Sequence, residues 1–324
     1  MAEDLGQLLS GKYRLLSVLG EGAMGVVYRS SQLDADGPPL REVAPTMVQP
    51  AFSRDPDFAH RFLREVRIAA RLRTPHTVTV YDTGQTDTGQ LYYTMELVEG
   101  PTLREVLRRH RVLSVVRAVT IMGQVCEALM EAHSLPEPIV HRDLKPANIF
   151  VETRQGKDWV KVGDFGIAKV VGEHTSGLTH TGASPGTPRY MAPEQWMGKA
   201  VDGRADLYAV GVLLYELLMG KAPFAGDEGP LALMYQHLHE PPLPLPETIP
   251  VGVRLQVEWL LAKAPQERPD DALSVRQALE AALRGDDDRS TIVLAENQDL
   301  PDAAIDLGTG TGQFPPIVEH ETIV

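Results

Sequence analysis

The sequence is short of the residues that would tie a chain to an oxidising compartment, a membrane interior or a polyanion. It has one cysteine, Cys126, so no intramolecular disulfide is possible and a reducing compartment is expected. Cys126 lies in the apolar run Ile121–Leu129 and reads as a small buried hydrophobe rather than a reactive thiol. Positive charge is scarce: 31 Lys and Arg stand against 44 Asp and Glu, for a net charge of −13. That speaks against a nucleic-acid partner, which would need a basic face. No apolar run reaches the ~20 residues of a membrane span; the longest, Leu207–Gly220, is interrupted by Glu216. Residues 1–10 lack the basic start and apolar stretch of a signal peptide. The expectation is a cytoplasmic protein with no membrane span. No internal repeat is evident beyond two Thr-Ile-Val tripeptides near the C-terminus.

What is present suits a folded protein of some size. The 324 residues, 43% hydrophobic and 23% charged, suffice for two lobes around a sizeable core. The first third reads as mainly strands. Tyr13–Leu19 alternates and runs into glycines at 20, 22 and 25, Val26–Ser30 resumes an apolar strand, and Glu42–Val48 follows a turn at Asp34–Pro39. Phe58, Phe62, Val66, Ala69 and Leu72 recur at helical spacing. Val78–Tyr81 and Leu91–Leu97 flank a turn at Gln85–Gly89. From residue 102 the periodicity turns helical, with helices predicted at Leu103–His110, Ser114–Leu135 (Ser114 as N-cap), Leu255–Lys263 and Ala272–Leu283. Ala205–Met219 is apolar almost all round, which predicts a buried helix. Pro241–Pro250 is a proline-rich loop. After Gly285 the composition turns acidic and glycine-rich, the pattern of a disordered tail.

Four separated segments converge on one chemistry. They are Gly20-Glu-Gly22-Ala-Met-Gly25-Val-Val27, His141-Arg-Asp143-Leu-Lys145-Pro-Ala-Asn148, Asp164-Phe165-Gly166, and Gly186-Thr187 through Ala192-Pro193-Glu194. A glycine turn alone is weak evidence, but all four in this order are specific. From about Tyr13 to Leu283 the chain resembles the protein kinase family, and Asp-Leu-Lys-Pro-x-Asn is similar to its bacterial eukaryotic-type Ser/Thr members. The resemblance implies an α+β, two-lobed fold: an N-terminal extension (1–12), a small β-rich lobe to about residue 100, a larger helical lobe over 101–283, and an acidic tail (284–324). It implies ATP and Mg²⁺ as cofactors and a protein substrate. Gly20, Gly22 and Gly25 would let backbone N–H groups approach the phosphates. Val27 and Ala44 would cover the adenine and Phe150 would underlie it. Glu96 and Val98 would bond it through the backbone, with Met95 behind. Asp143 would orient the substrate hydroxyl, Lys145 would neutralise the transferring group, and Asn148 and Asp164 would hold metal. Asp206 resembles the anchor of the catalytic-loop backbone, and Glu194 and Arg268 a buried ion pair.

The pattern departs from the family at one point. Where the family writes Val-Ala-Ile-Lys on its third strand, this chain has Val43-Ala44-Pro45-Thr46, and the only lysine before Lys145 is Lys12. Glu65, the expected partner on the following helix, is present. Two readings compete: a kinase of reduced or unconventional activity, with Arg29 or Arg41 lending the charge, or a nucleotide-binding pseudokinase scaffold; the glycine turn and metal ligands argue against a third, a kinase-fold adaptor that binds no nucleotide. Arg142 beside Asp143 marks the subclass organised by activation-segment phosphate. That segment offers Thr175, Ser176, Thr179, Thr181 and Ser184, while Thr187 resembles a threonine that contacts Asp143 and Lys145. In the tail, Thr291 and Thr322 sit among acidic residues. They suit a phosphothreonine-binding partner, and the final Thr-Ile-Val suits a partner that captures C-termini.

Overall fold

The computed structural model describes residues 5–22, 24–34, 39–165, 188–224 and 229–285. Its N-terminal part is an antiparallel sheet with spatial order β1-β2-β3-β4-β6-β5. The strands are β1 (Leu8–Leu9), β2 (Tyr13–Gly22), β3 (Gly25–Leu33), β4 (Pro39–Val48), β5 (Val80–Gln85) and β6 (Leu91–Glu96). The strands run further into the glycine segment than the sequence suggested, since Gly20, Glu21 and Gly22 pair with Val27, Val26 and Gly25. Between β4 and β5 lie α1 (Pro50–Ser53) and α2 (Pro56–Ala69). Asp55 caps α2 by accepting from the N–H groups of Asp57 and Phe58. The α2 stripe of Phe58, Phe62 and Val66 packs on Leu91 and Tyr93, covering one face of the sheet. Tyr13, Tyr28, Val43 and Tyr92 form a separate cluster.

Pro45 sits inside β4, a strand paired on both sides, where proline is disfavoured for want of an N–H donor. The sheet accommodates it with a gap. On the β6 side Ala44, Pro45 and Thr46 pair in sequence with Met95, Thr94 and Tyr93. On the β3 side the ladder passes from Val27↔Thr46 to Ser30↔Val43 in unchanged register.

The C-terminal part is mostly helical: α3 (Leu103–His110), α4 (Val115–Ser134), α5 (Pro193–Trp196), α6 (Arg204–Met219), α7 (Pro230–His239), α8 (Val251–Leu260) and α9 (Ala272–Arg284). The Leu103–His110 helix has the expected bounds, closed by a capping box between Thr102 and Glu105. Ser114 caps α4 as expected, accepting from the Arg117 N–H. Helix α6 is buried on nearly every side and lies in a core cluster with Ile121, Val125 and Leu129 of α4. Among the described residues no helix is long and apolar enough to cross a membrane.

Several elements escaped the sequence reading: β1, the short helices α1 and α5, α7, and the hairpin β7 (Ile149–Arg154) to β8 (Lys157–Val162). The hairpin turns at Gln155-Gly156, both with positive φ, a two-residue connection of the kind that matches strand twist. It carries Asn148 at one end and Gly163-Asp164 at the other, so it sets the spacing between two motif segments.

Glu194, beside the start of α5, meets Arg268 in a two-bond pair at 2.7 and 2.8 Å, with both residues buried. Arg268 also donates to the carbonyls of Ala262, Lys263 and Arg204. Arg268→Ala strands a buried carboxylate and is expected to cost about 3–5 kcal/mol. Replacing both partners together, Glu194→Gln with Arg268→Met, is expected to cost less than that single change. Urea unfolding of the two variants measures the difference.

Candidate active site

Sheet register builds the roof of a cleft. Thr46 pairs with Val27 on one side and Tyr93 on the other, and Ala44 pairs with Met95. Side chains directly opposite each other share a face, and so do residues two apart. Val27, Ala44, Thr46, Tyr93 and Met95 therefore project to the same side. Gly20 and Gly22 have nothing within 4 Å of where a Cβ would stand, so no packing contact requires glycine there. Gly25 is different: a Cβ would lie 1.9 Å from the Met47 carbonyl oxygen, so the sheet itself excludes a side chain.

The floor is organised by Asp206 of α6. Its Oδ2 accepts from His133 Nε2 and from the His141 N–H, each at 2.8 Å, and its Oδ1 accepts from the Arg142 N–H at 2.9 Å. Burial opposes its charge, but these donors, led by His133, outweigh it and hold the carboxyl below its ordinary range. Arg142 is left with φ of 65°, a conformation that strains a non-glycine residue. The His141 ring packs against Phe165 at 4.7 Å and donates to the Gly163 carbonyl at 2.9 Å.

The next residues of this loop face one another. Lys145 Nζ donates to Asp143 Oδ2 at 2.6 Å. Asn148 Nδ2 donates to the Asp143 carbonyl at 2.9 Å, which turns its Oδ1 away from that bond. The Asn148 carbonyl accepts from the Gly163 N–H at 2.8 Å, tying this loop to Asp164. Asp143, Lys145 and Asn148 of one loop are thus brought together with Asp164, which follows the β7–β8 hairpin.

Asp164 has φ of 59°. It keeps surface open to the cleft while protein crowds it closely. That desolvation raises its carboxyl above the usual range, partly offset by a hydrogen bond from Tyr93. The Tyr93 hydroxyl donates to Asp164 Oδ1 at 3.0 Å. Tyr93 is buried, and desolvation followed by the nearby Asp164 charge raises its phenol well above its ordinary value, so it stays a donor. Behind it, Val66, Leu72, Val78, Met95 and Phe165 leave a cavity of about 10 Å³, space for one water at most.

Two of these residues were not anticipated. Tyr93 stands two before Met95 on the same strand, so alternation alone puts it in the cleft. Lys161 of β8 is buried, and its Nζ donates to Glu96 Oε2 at 2.8 Å. The Glu96 N–H donates to the Thr79 carbonyl. Val98 lies two residues past the end of β6, and Phe150 on β7 pairs with Lys161.

The arginines expected to lend charge are engaged with other partners. Arg29 pairs with Glu42 through Nε at 2.9 Å. Arg41 donates to Gln32 and lies over the Tyr81 ring at 3.6 Å. Glu65 lines a cavity of about 250 Å³ with Arg142, Asp202 and Gly203. Gly166, Thr175, Ser176, Thr179, Thr181, Ser184, Gly186, Thr187 and the tail threonines lie outside the described residues.

The site suits a nucleotide with magnesium. Open space at Gly20 and Gly22 admits close backbone approach, and Asn148 and Asp164 present hard oxygens. Among the described residues no group of three or more His, Cys, Asp or Glu could hold a metal alone.

Comparison with known proteins agrees. Residues 13–282 match the family model described as protein kinase domain. The chain is 39% identical over 289 residues to serine/threonine-protein kinase pkn3 of Myxococcus xanthus, covering 88% of this chain and 52% of that protein. It is 38% identical over 312 residues to serine/threonine-protein kinase PknB of Mycobacterium leprae, covering 94% and 48% respectively. The chain thus spans about half the length of the curated relatives it matches. Among solved structures, the PknI kinase domain of Mycobacterium tuberculosis superposes with a TM-score of 0.65 at 30% identity, over 86% of this chain and 98% of that one.

The glycines separate by experiment. Gly25→Ala is expected to destabilise the fold by about 2 kcal/mol or more, as a backbone clash does, while Gly22→Ala stays within about 0.5 kcal/mol. If Gly22 serves phosphate approach, its variant folds normally yet binds ATP several-fold more weakly. Thermal melts with and without nucleotide read both effects.

Proposed function

The chain belongs to the protein kinase family, and from that premise we propose that it transfers the γ-phosphate of ATP to a serine or threonine hydroxyl of a protein, at a reduced rate. The observation that carries this is Asp143 accepting hydrogen bonds from both Lys145 and Asn148, a set joined through Gly163 to Asp164. Transfer of a phosphoryl group needs positioning and charge stabilisation more than covalent chemistry. Asp143 would accept or orient the proton of the substrate hydroxyl. Lys145, already within reach of Asp143, would meet the charge on the transferring group. Asn148 Oδ1 and the Asp164 carboxylate would hold magnesium, which when bound neutralises phosphate charge. Val27 and Ala44 above and Phe150 below would enclose the adenine. The Glu96 N–H and side chain are already engaged, so its carbonyl and the Val98 backbone are what would bond the base.

The reduction in rate follows from Thr46. Family members place a lysine at the corresponding point of this strand, and threonine offers no charge to the α- and β-phosphates. The second reading, a pseudokinase that binds nucleotide and scaffolds partners, draws on the same residue and on the engagement of Arg29 with Glu42 and of Arg41 with Gln32 and Tyr81.

A radiolabelled-ATP transfer assay, run beside a thermal shift with nucleotide and with or without magnesium, separates the two. Transfer with binding supports the enzyme, and binding alone supports the scaffold. Asp164→Asn is expected to abolish or strongly weaken the magnesium-dependent shift. The paired change Pro45→Ile with Thr46→Lys restores a charge-assisted contact worth ~1.5–3 kcal/mol, so transfer should rise about tenfold to a hundredfold. A paired variant that folds and binds ATP yet transfers no faster would show that position 46 does not limit the rate.

A further inference from the structure

The roles above leave Tyr93 without a task, although its hydroxyl makes a 3.0 Å bond to Asp164 Oδ1. A buried tyrosine hydroxyl requires some partner, so the bond alone could be housekeeping. Three features say more. The ring is fixed by packing against Phe62 at 6.0 Å and has 2% of its surface exposed, so the hydroxyl is presented by a rigid arm from β6 rather than by a loop. The acceptor is a residue in left-handed backbone, where a non-glycine residue persists only if its surroundings hold it. The third is the cross-strand neighbour: Thr46 lies opposite Tyr93 on the same face, and its side chain ends at the γ position. A lysine there would extend several atoms further into the space that the phenol uses to reach Asp164.

We propose that Tyr93 is a positioning residue, which holds Asp164 Oδ1 with a neutral donor and so directs the other carboxylate oxygen toward magnesium. The proposal rests on the site assignment made under Proposed function. In this arrangement the short residue at 46 and the tyrosine at 93 form a matched pair. The sheet forgoes a cation over the phosphates and gains a fixed post for the metal ligand. A charge-assisted hydrogen bond from a rigid donor is well suited to that work.

The test is Tyr93→Phe in the full chain, which keeps the ring and removes only the hydroxyl. A fluorescent ATP analogue is titrated with magnesium from zero to saturation, and the melt is recorded without ligand. Nucleotide affinity without magnesium should stay within about twofold, while the magnesium midpoint should rise about tenfold, the loss expected for one hydrogen bond to a charged group. In the Thr46→Lys background the same change should shift the midpoint by clearly less, because the two side chains compete for one carboxylate. An unchanged midpoint in a variant that melts like the parent overturns the proposal, and so does an equal loss with and without magnesium, which marks a packing role. A lowered midpoint overturns it in the opposite sense, since the phenol would then obstruct the metal. If the parent itself shows no magnesium-dependent binding, the site assignment falls and this proposal with it. Parent binding with an unmoved variant sinks this proposal alone.

Discussion

The rest of the site hangs from the Asp206 carboxylate. It is buried in α6, and its two oxygens take three donors, two of them backbone N–H groups of His141 and Arg142. An ionised carboxylate in a protein interior is tolerable only with such compensation. Here the compensation also fixes a loop. With two successive N–H groups pinned, the chain must leave in the left-handed turn seen at Arg142. Asp143 and Lys145 then face each other, and Asn148 is delivered to the start of β7. The charge is placed where the core is most rigid, on a helix buried almost all round, so the loop inherits the rigidity of the core.

A second constraint is geometric and belongs to the sheet. Because β4 pairs on both sides in fixed register, the residues at 27, 44, 46, 93 and 95 must share a face. The cleft's roof is therefore decided by parity along three strands. The same parity explains why Pro45 does little harm: it falls on the opposite face from Thr46, and its missing donor costs a gap in one ladder rather than a shift in register. The hairpin β7–β8 does the matching work below, holding Asn148 and Asp164 one antiparallel connection apart.

Much of this was legible in the sequence because it depends on local rules. The helix at 103–110 is closed by a Thr-x-x-Glu box visible as letters, and Ser114 announces its helix in the same way. The buried helix at 204–219 shows itself by having no polar face. The motif residues 143, 145, 148 and 164 were legible because their spacing is dictated by one chemistry. What was not legible depends on tertiary partners. Lys161 reads as one cation on a short strand until the fold sets it against Glu96. Tyr93 reads as one aromatic among strand residues until α2 packs over it and Asp164 arrives below. The β7–β8 hairpin was missed because its turn is Gln-Gly, a weaker signal than Asn-Gly, and its strands are only six residues long. Arg29 and Arg41 were credible sources of charge from composition alone, and only their contacts with Glu42, Gln32 and Tyr81 show where they are engaged.

The charges around Asp164 bear on how such a site would work. Lys161 is committed to Glu96 and Lys145 has Asp143 within 2.6 Å, while Arg29 is engaged with Glu42 and Arg41 with Gln32 and Tyr81. The bond to Asp164 from the sheet comes from a neutral phenol. A site with less fixed positive charge attracts a divalent cation more strongly and a bare polyphosphate less, because Coulomb terms of opposite sign act on the two at close range. Nucleotide and metal would then depend on each other more than in a site where a lysine already holds the phosphates. On the proposed reading, the sheet would supply shape and orientation, and part of the balance of charge would be left to an ion arriving with the nucleotide. A steeper dependence of nucleotide affinity on magnesium and a slower transfer would then share one cause, the short uncharged side chain at position 46.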